Sequence, residues 1–138
     1  MAALTADRLT MTKGALRRQG YKVAANVVIF AGAMVAINAA GFAVPAADVA
    51  GLSRVVGVAA AKVNNIGGSD GTVDVVVEYG GQFLFAVSGI TQANVGRLAV
   101  VADDQTLTTA ATATQDIPIG LIRSLAPTGA WVDILANA

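Results

Sequence analysis

Residues 72–87 read TVDVVVEYGGQFLFAV, and this stretch decides the fold class. Its two apolar runs, residues 72–79 and 83–87, are rich in Val and aromatic side chains, which favour β-strands. Gly80 and Gly81 separate the runs, and such a link is typical of a tight β-hairpin because glycine readily adopts positive φ. The stretch therefore predicts two consecutive strands joined as a hairpin.

The same alternation of short apolar runs with Gly, Asn, Asp and Pro turns continues on both sides of this stretch. Asp103-Asp104 and Thr128-Gly129 mark two more hairpins. The Ala-rich stretch 46–52 is the one segment of the body that favours a helix. Strands are predicted over residues 21–30, 33–38, 54–63, 72–79, 82–88, 97–102, 105–109, 117–124 and 130–135.

A weak internal repeat accompanies these strands. Residues 32–37 begin with Gly and lead, after a reversal, to residues 54–59, which contain Gly57. Residues 96–101 likewise lead to residues 117–122, which contain Gly120. Two related β units that close on each other predict a mainly β fold, a compact small barrel or sandwich of short antiparallel strands.

Composition narrows the chemistry available to the chain. Apolar residues make up 55% but aromatic residues only 5%, so small side chains dominate the core and self-association would bury further apolar surface. The chain has no Cys and no His, which excludes disulfides, Cys/His zinc sites and a Ser-His-Asp arrangement. A formal net charge of zero argues against nucleic-acid binding.

Two segments resemble catalytic or ligand-binding sites only superficially. The glycine-rich loop 67–71 lacks the Lys-Ser/Thr of a phosphate-binding loop and precedes a strand, so it is interpreted as a flexible hairpin turn. Asp103 and Asp104 are adjacent, with no third oxygen ligand at a recognisable spacing, and are interpreted as turn formers. Trp131, the sole Trp, closes the core or anchors an interface. The sequence predicts no enzyme, no cofactor and no metal site.

The charge is distributed unevenly along the chain. Residues 1–22 carry five basic residues against Asp7 alone, a net charge of +4, and the remainder carries −4. Residues 1–20 are predicted to form an extended N-terminal arm, and residues 21–138 the β domain. The arm's candidate contact residues combine apolar anchors with basic groups: Leu4, Arg8, Leu9, Met11, Lys13, Leu16, Arg17 and Arg18.

A membrane segment is the main alternative for residues 23–47, which are uncharged and follow the basic stretch. Asn26, Asn38 and Pro45 interrupt this segment, and its β-branched residues favour strands, so neither a spanning helix nor a signal peptide is expected.

Several segments resemble the small capsid cement, or head decoration, proteins of Mu-like tailed phages and prophages. The resemblance covers nearly the whole chain and rests on order and spacing, since no single motif is diagnostic. The matching segments are Leu4-Thr5-Ala6-Asp7-Arg8, residues 23–27 with 31–36, Val56-Gly57-Val58-Ala59 with residues 63–65, Val95-Gly96 with residues 101–106, and Trp131-Val132-Asp133-Ile134.

The resemblance implies a structural virion protein, made in the host cytoplasm and located on the capsid exterior. Such a protein binds the outer capsid surface as a homotrimer, bridges major capsid protein subunits, and uses the N-terminal arm as the capsid-binding segment. We expect the arm to be poorly ordered until it binds. The apolar run 73–79 departs from the family, whose members are more charged there. A carbohydrate- or surface-binding β module, such as a fibre or pilus component, is the alternative.

Overall fold

The computed structural model describes residues 2–134, and within them the fold is mainly β, as predicted. One short 3₁₀-helix, Gln92–Asn94, interrupts the strands. The strands are β1 (Thr12–Lys13), β2 (Arg17–Lys22), β3 (Val28–Ile29), β4 (Met34–Ile37), β5 (Ala43–Pro45), β6 (Val55–Ala59), β7 (Val63–Asn64), β8 (Asp74–Tyr79), β9 (Gln82–Val87), β10 (Leu98–Asp103), β11 (Thr106–Thr108), β12 (Pro118–Ala126) and β13 (Gly129–Ile134).

Several predicted boundaries change. The single strand expected over 21–30 is two strands, because the chain turns at Asn26, whose φ is 59°. The expected helix over 46–52 does not form, and β5 ends at Pro45 just before it. β2 crosses the boundary drawn after residue 20 between arm and domain. Residue 135 of the last predicted strand lies outside the described residues.

The expected hairpin at Gly80 and Gly81 was wrong. β8 pairs with β2 and β6, whereas β9 pairs with β1, β11 and β13, so the two glycines carry the chain from one sheet to another. A side chain at Gly81 would approach Leu16 and the Lys13 carbonyl to 2.5 Å. Glycine is therefore needed here for close backbone approach. The hairpins predicted at Asp103-Asp104 and Thr128-Gly129 are confirmed.

The internal repeat is confirmed by the strand registers. β4 pairs antiparallel with β6, with Val35 opposite Gly57, and β10 pairs with β12, with Ala99 opposite Gly120. In both pairs the register shifts by a bulge directly after these residues. The same bulge at equivalent positions shows that the two units share one backbone plan.

The repeat extends well beyond the predicted segments. The first half has the strand order β2-β8-β6-β4-β5, and the second half has the equivalent order β9-β13-β12-β10-β11. Each half closes into a ring through a parallel contact between its end strands. Leu107 lies opposite Val87 in the second half, and Ala43 bridges to Val23, the corresponding residue, in the first. β3 and β7 form a separate small pair beside the first half.

Two apolar clusters form the core. One fills the first half and includes Val23, Val35, Ala59 and Val77. The other fills the second half, around Phe83 and Phe85, and also takes in side chains from the opposite face of β4 and β6. The second cluster therefore contains side chains of both halves and joins them at one apolar interface. Among residues 2–134, no helix has the length and apolar character needed to cross a membrane.

Candidate interaction surface

The N-terminal segment, residues 2–13, lies along both halves and is hydrogen-bonded at several points. The Leu4 amide donates to Asp104 Oδ1 at 2.9 Å, and the Arg8 amide donates to the Ala31 carbonyl at 2.7 Å. Farther along, β1 pairs with the start of β9. The structure thus differs from the expectation of a segment that is poorly ordered until it binds, because residues of both halves supply partners for its backbone.

Arg8 is the central anchor of this segment. Its Nη1 donates to Thr10 Oγ1 at 2.8 Å and to the Leu84 carbonyl at 3.2 Å. Its guanidinium carbon lies 4.7 Å from the centre of the Phe85 ring, within the range of a cation–π contact. Partial burial lowers the pKa of the Arg8 guanidinium. The sequence predicts Arg8 as a partner-facing charge, and this inward role was missed because the sequence carries no local signal for it.

The other candidate residues also divide by direction. Leu4 and Leu16 are half-buried, one against each apolar cluster. The Lys13 ammonium lies 4.1 Å from the centre of the Trp131 ring. Arg17 is exposed, and Arg18 pairs with Glu78 at 3.1 Å. Three of the eight candidates, Leu4, Arg8 and Leu16, are therefore half-buried against the body, and the exposed Lys13 and Arg18 contact it through Trp131 and Glu78.

Leu9 and Met11 face solvent. The Leu9 side chain is 89% exposed and Met11 is 55% exposed, although their backbone is fixed on either side by Arg8 and β1. Leu9 also borders a cleft of about 230 Å³, which Ala31, Ala60 and Glu78 line from the first half. Exposed apolar side chains on a fixed backbone form a preorganised contact surface, since little further ordering is needed on binding.

The positive charge of residues 1–22 is partly matched within the chain. Arg18 contacts Glu78, and Lys22 contacts Asp74 at 4.0 Å, so β2 pairs its charges with those of β8. These side chains are mostly exposed, and such pairs contribute only about 0–1 kcal/mol. The register of β2 and β8 is thus supported by opposite charges, with the principal stabilisation coming from strand pairing.

The acidic pair and the glycine-rich loop both organise the backbone. Asp103 Oδ1 accepts from the Gln105 amide at 3.0 Å, which confirms the predicted turn role. The glycine-rich loop was expected to be a hairpin turn, but it does not join two paired strands. It wraps instead around Asn65, which is 3% exposed and donates to the carbonyls of Ala24 and Ser69. Among residues 2–134, no three acidic side chains gather into a cluster that could hold a metal ion.

Asp104 provides a pH-dependent test of how the N-terminal segment is held. It is 2% exposed, and burial raises the pKa of its carboxyl despite the hydrogen bond from Leu4. A raised folded-state pKa means that its favourable contribution is present at acidic pH and is lost as pH rises through that pKa. We expect Asp104→Asn, which keeps an acceptor for Leu4, to raise the melting temperature at pH 7 by a small amount and to lose this advantage near pH 3. An unchanged difference between the two pH values would contradict this expectation.

Comparison of this chain with protein-family models, with curated proteins and with solved structures gave no match. By its own fold and surface, the chain is a mainly β protein of two equivalent halves with a docked N-terminal segment.

Proposed function

We propose that this protein is a structural virion protein that binds the outer surface of a phage capsid and bridges major capsid protein subunits. Its supporting observation is the presentation of Leu9 and Met11 on a hydrogen-bonded segment. Burial of a side chain of this size contributes up to about 1.5–3 kcal/mol, so two of them supply useful affinity at every copy on a shell. The proposal includes self-association as a homotrimer and involves no enzymatic step.

The N-terminal segment would bind the capsid at a lower entropic cost than the unfolded arm that the sequence predicted. An arm that orders on binding loses about 1–2 kcal/mol of backbone entropy for each residue fixed. Here residues 2–13 are already held by Asp104, Leu84 and β9. That prior ordering leaves more of the apolar contact energy available for attachment.

The test measures attachment to empty shells assembled from the major capsid protein of a Mu-like phage. We expect Leu9→Asp combined with Met11→Asp to weaken binding about tenfold or more, because a docked carboxylate would be buried unpaired. The matched control is Ile66→Asp with Val49→Asp, since these side chains are also exposed, at 64% and 50%. Co-sedimentation measures binding, and circular dichroism verifies folding.

Three outcomes count against the proposal. Full-length protein that fails to bind shells overturns the capsid function, and glycan binding in its place would favour the surface-binding alternative. Equal weakening by the control variant would mean that Leu9 and Met11 are not the contact surface. Full binding by the Leu9 and Met11 variant would mean the same.

A further inference from the structure

The two halves pack through two different faces. The first half contributes the outer side chains of β4 and β6, here called the outer face: Met34, Ala36, Val55 and Val58. The second half contributes one end of its ring, where β9, β11 and β12 begin and β10 and β13 finish. Buried side chains at this ring end are Phe83, Phe85, Val101, Ile119 and Ile134.

Contacts at the junction connect these two faces directly. β6 lies against β12 and β13, and the apolar side chains of both faces belong to one cluster. The Met34 amide donates to the Asp104 carbonyl at 2.9 Å, and Arg54 Nη2 donates to the Ile119 carbonyl at 3.2 Å. The outer face is 0–3% exposed as a result.

The second half carries its own outer face, in which Leu98 is exposed and Pro118 and Leu121 are half-buried, whereas Val100 is only 2% exposed. Its residues, at the positions equivalent to those of the first half, are Leu98, Val100, Pro118 and Leu121. Leu98 is 38% exposed, whereas its equivalent Met34 is fully buried. Gly32 and Gly96 also differ, because the N-terminal segment covers only the first of them. Both have positive φ, but a Cβ on Gly32 would meet Arg8 and Thr10, whereas one on Gly96 would meet no atom of residues 2–134 within 4 Å.

The first half carries the equivalent ring end, which is also uncovered. Its residues correspond to the buried set around Phe83 and are exposed or half-buried: Gln19, Tyr21, Ile37, Val56 and Tyr79. Beside it lies an open depression of about 340 Å³, lined by the β4–β5 turn and by Ala50, Gly51 and Leu52. Ala40 occupies the turn position that Asp104 holds in the second half.

Unequal burial at equivalent positions identifies the junction as head-to-tail. In a junction with two-fold symmetry, each face would contact its own equivalent and both copies would be equally buried. Here the outer face of one half covers the ring end of the other. One partly exposed outer face and one partly exposed ring end therefore remain on the chain. Heterologous faces of this kind pair between copies to give rings or filaments.

We propose that the outer face of the second half docks on the ring end of the first half in another copy of this chain. The contact repeats between chains the packing that already joins the halves within one chain. It deepens the self-association part of the proposed function, because three chains joined in this way place six equivalent halves in one ring. Leu98 and Leu121 enter the apolar end formed by Tyr21, Ile37 and Val56.

The first test is the mass of the free protein, measured by light scattering over a range of concentrations. We expect the full chain to form an oligomer and Leu98→Glu to weaken association by more than about tenfold, since the charge would be buried without a partner. Val76→Glu is the matched control. Val76, like Leu98, is an aliphatic residue on a strand and is 44% exposed, but it lies outside both faces. It should leave the mass unchanged.

A mixing experiment tests the head-to-tail geometry. Ala40→Arg alters an exposed turn at the ring end, so it should also give monomers while remaining folded. Mixed with Leu98→Glu protein, it should form a one-to-one dimer, because each variant retains the face that the other has lost. An interface in which each face contacts its own copy would not be rescued in this way, because the Leu98→Glu protein would still lack its contact.

Several results would overturn the inference: a full chain that is monomeric throughout, an oligomer unaffected by Leu98→Glu, equal disruption by Val76→Glu, or a mixture that stays monomeric. These results are separable from the fate of the capsid function. A monomeric full chain that still binds shells removes this inference and the self-association part of the proposed function, but leaves capsid binding standing. An oligomer that behaves as expected but ignores shells removes only the capsid proposal.

Discussion

Replacing Gly120 with Ala is expected to lower the free energy of unfolding by about 3 kcal/mol or more. A Cβ atom at this position would lie 1.9 Å from the Asp133 carbonyl oxygen on β13. That neighbour is backbone, and β12 is also paired on its other side with β10, so neither strand can move aside freely. A loss of this size is a large share of the roughly 5–15 kcal/mol that stabilises a domain.

Two further glycine-to-alanine variants serve as comparisons for Gly120→Ala: Gly57, its equivalent in the first half, and Gly20, which is not closely packed. A Cβ on Gly57 would lie 2.7 Å from the Glu78 carbonyl, so Gly57→Ala should destabilise less than Gly120→Ala. At Gly20 no atom of the described residues lies within 4 Å of a built Cβ, so Gly20→Ala should be neutral or slightly stabilising. Denaturant unfolding of the three variants measures the order. A Gly120→Ala protein as stable as the Gly20→Ala protein would show that β12 and β13 are not so closely packed.

Arg8→Ala is expected to destabilise the protein by about 2–3 kcal/mol and to release the N-terminal segment. The change removes two hydrogen bonds from a charged donor and the contact with the Phe85 ring. Phe85 is fully buried, so loss of its cover exposes apolar surface of the second half. Hydrogen exchange at the Leu84 amide, which donates to the Met11 carbonyl at 2.9 Å, should become faster.

Arg18→Ala is the matched control for this prediction. Arg18 is 67% exposed and pairs with Glu78 at the surface, where loss of an ion pair costs about 0–1 kcal/mol. Its removal should leave the Leu84 amide protected. If both arginine variants unfold at the same denaturant concentration, Arg8 does not anchor the segment.

The N-terminal candidates show the limit of sequence reasoning about the site. Leu9 and Arg8 are adjacent, and both were expected to face a partner, yet Leu9 is 89% exposed whereas Arg8 packs on Phe85. No local pattern separates them, because their directions depend on the Leu84 carbonyl and the Phe85 ring, 76 or more positions away. Asp104 was expected only to form a turn, and its bond to Leu4 likewise joins residues 100 positions apart.

The sequence by itself determined the fold class, the approximate place of most strands from residue 33 onward and two hairpins, and it suggested the repeat that the strand registers then confirmed. These features follow from local chemistry: β-branched and aromatic runs favour strands, and Asp, Thr and Gly favour the turns between them. Only the tertiary structure decided that Gly80 and Gly81 connect two sheets, that each half closes into a ring, and that equivalent residues such as Met34 and Leu98 differ in burial. The physical reason is that strand pairing and packing depend on contacts distant in sequence, so two halves with the same local plan acquire different environments once one covers the other.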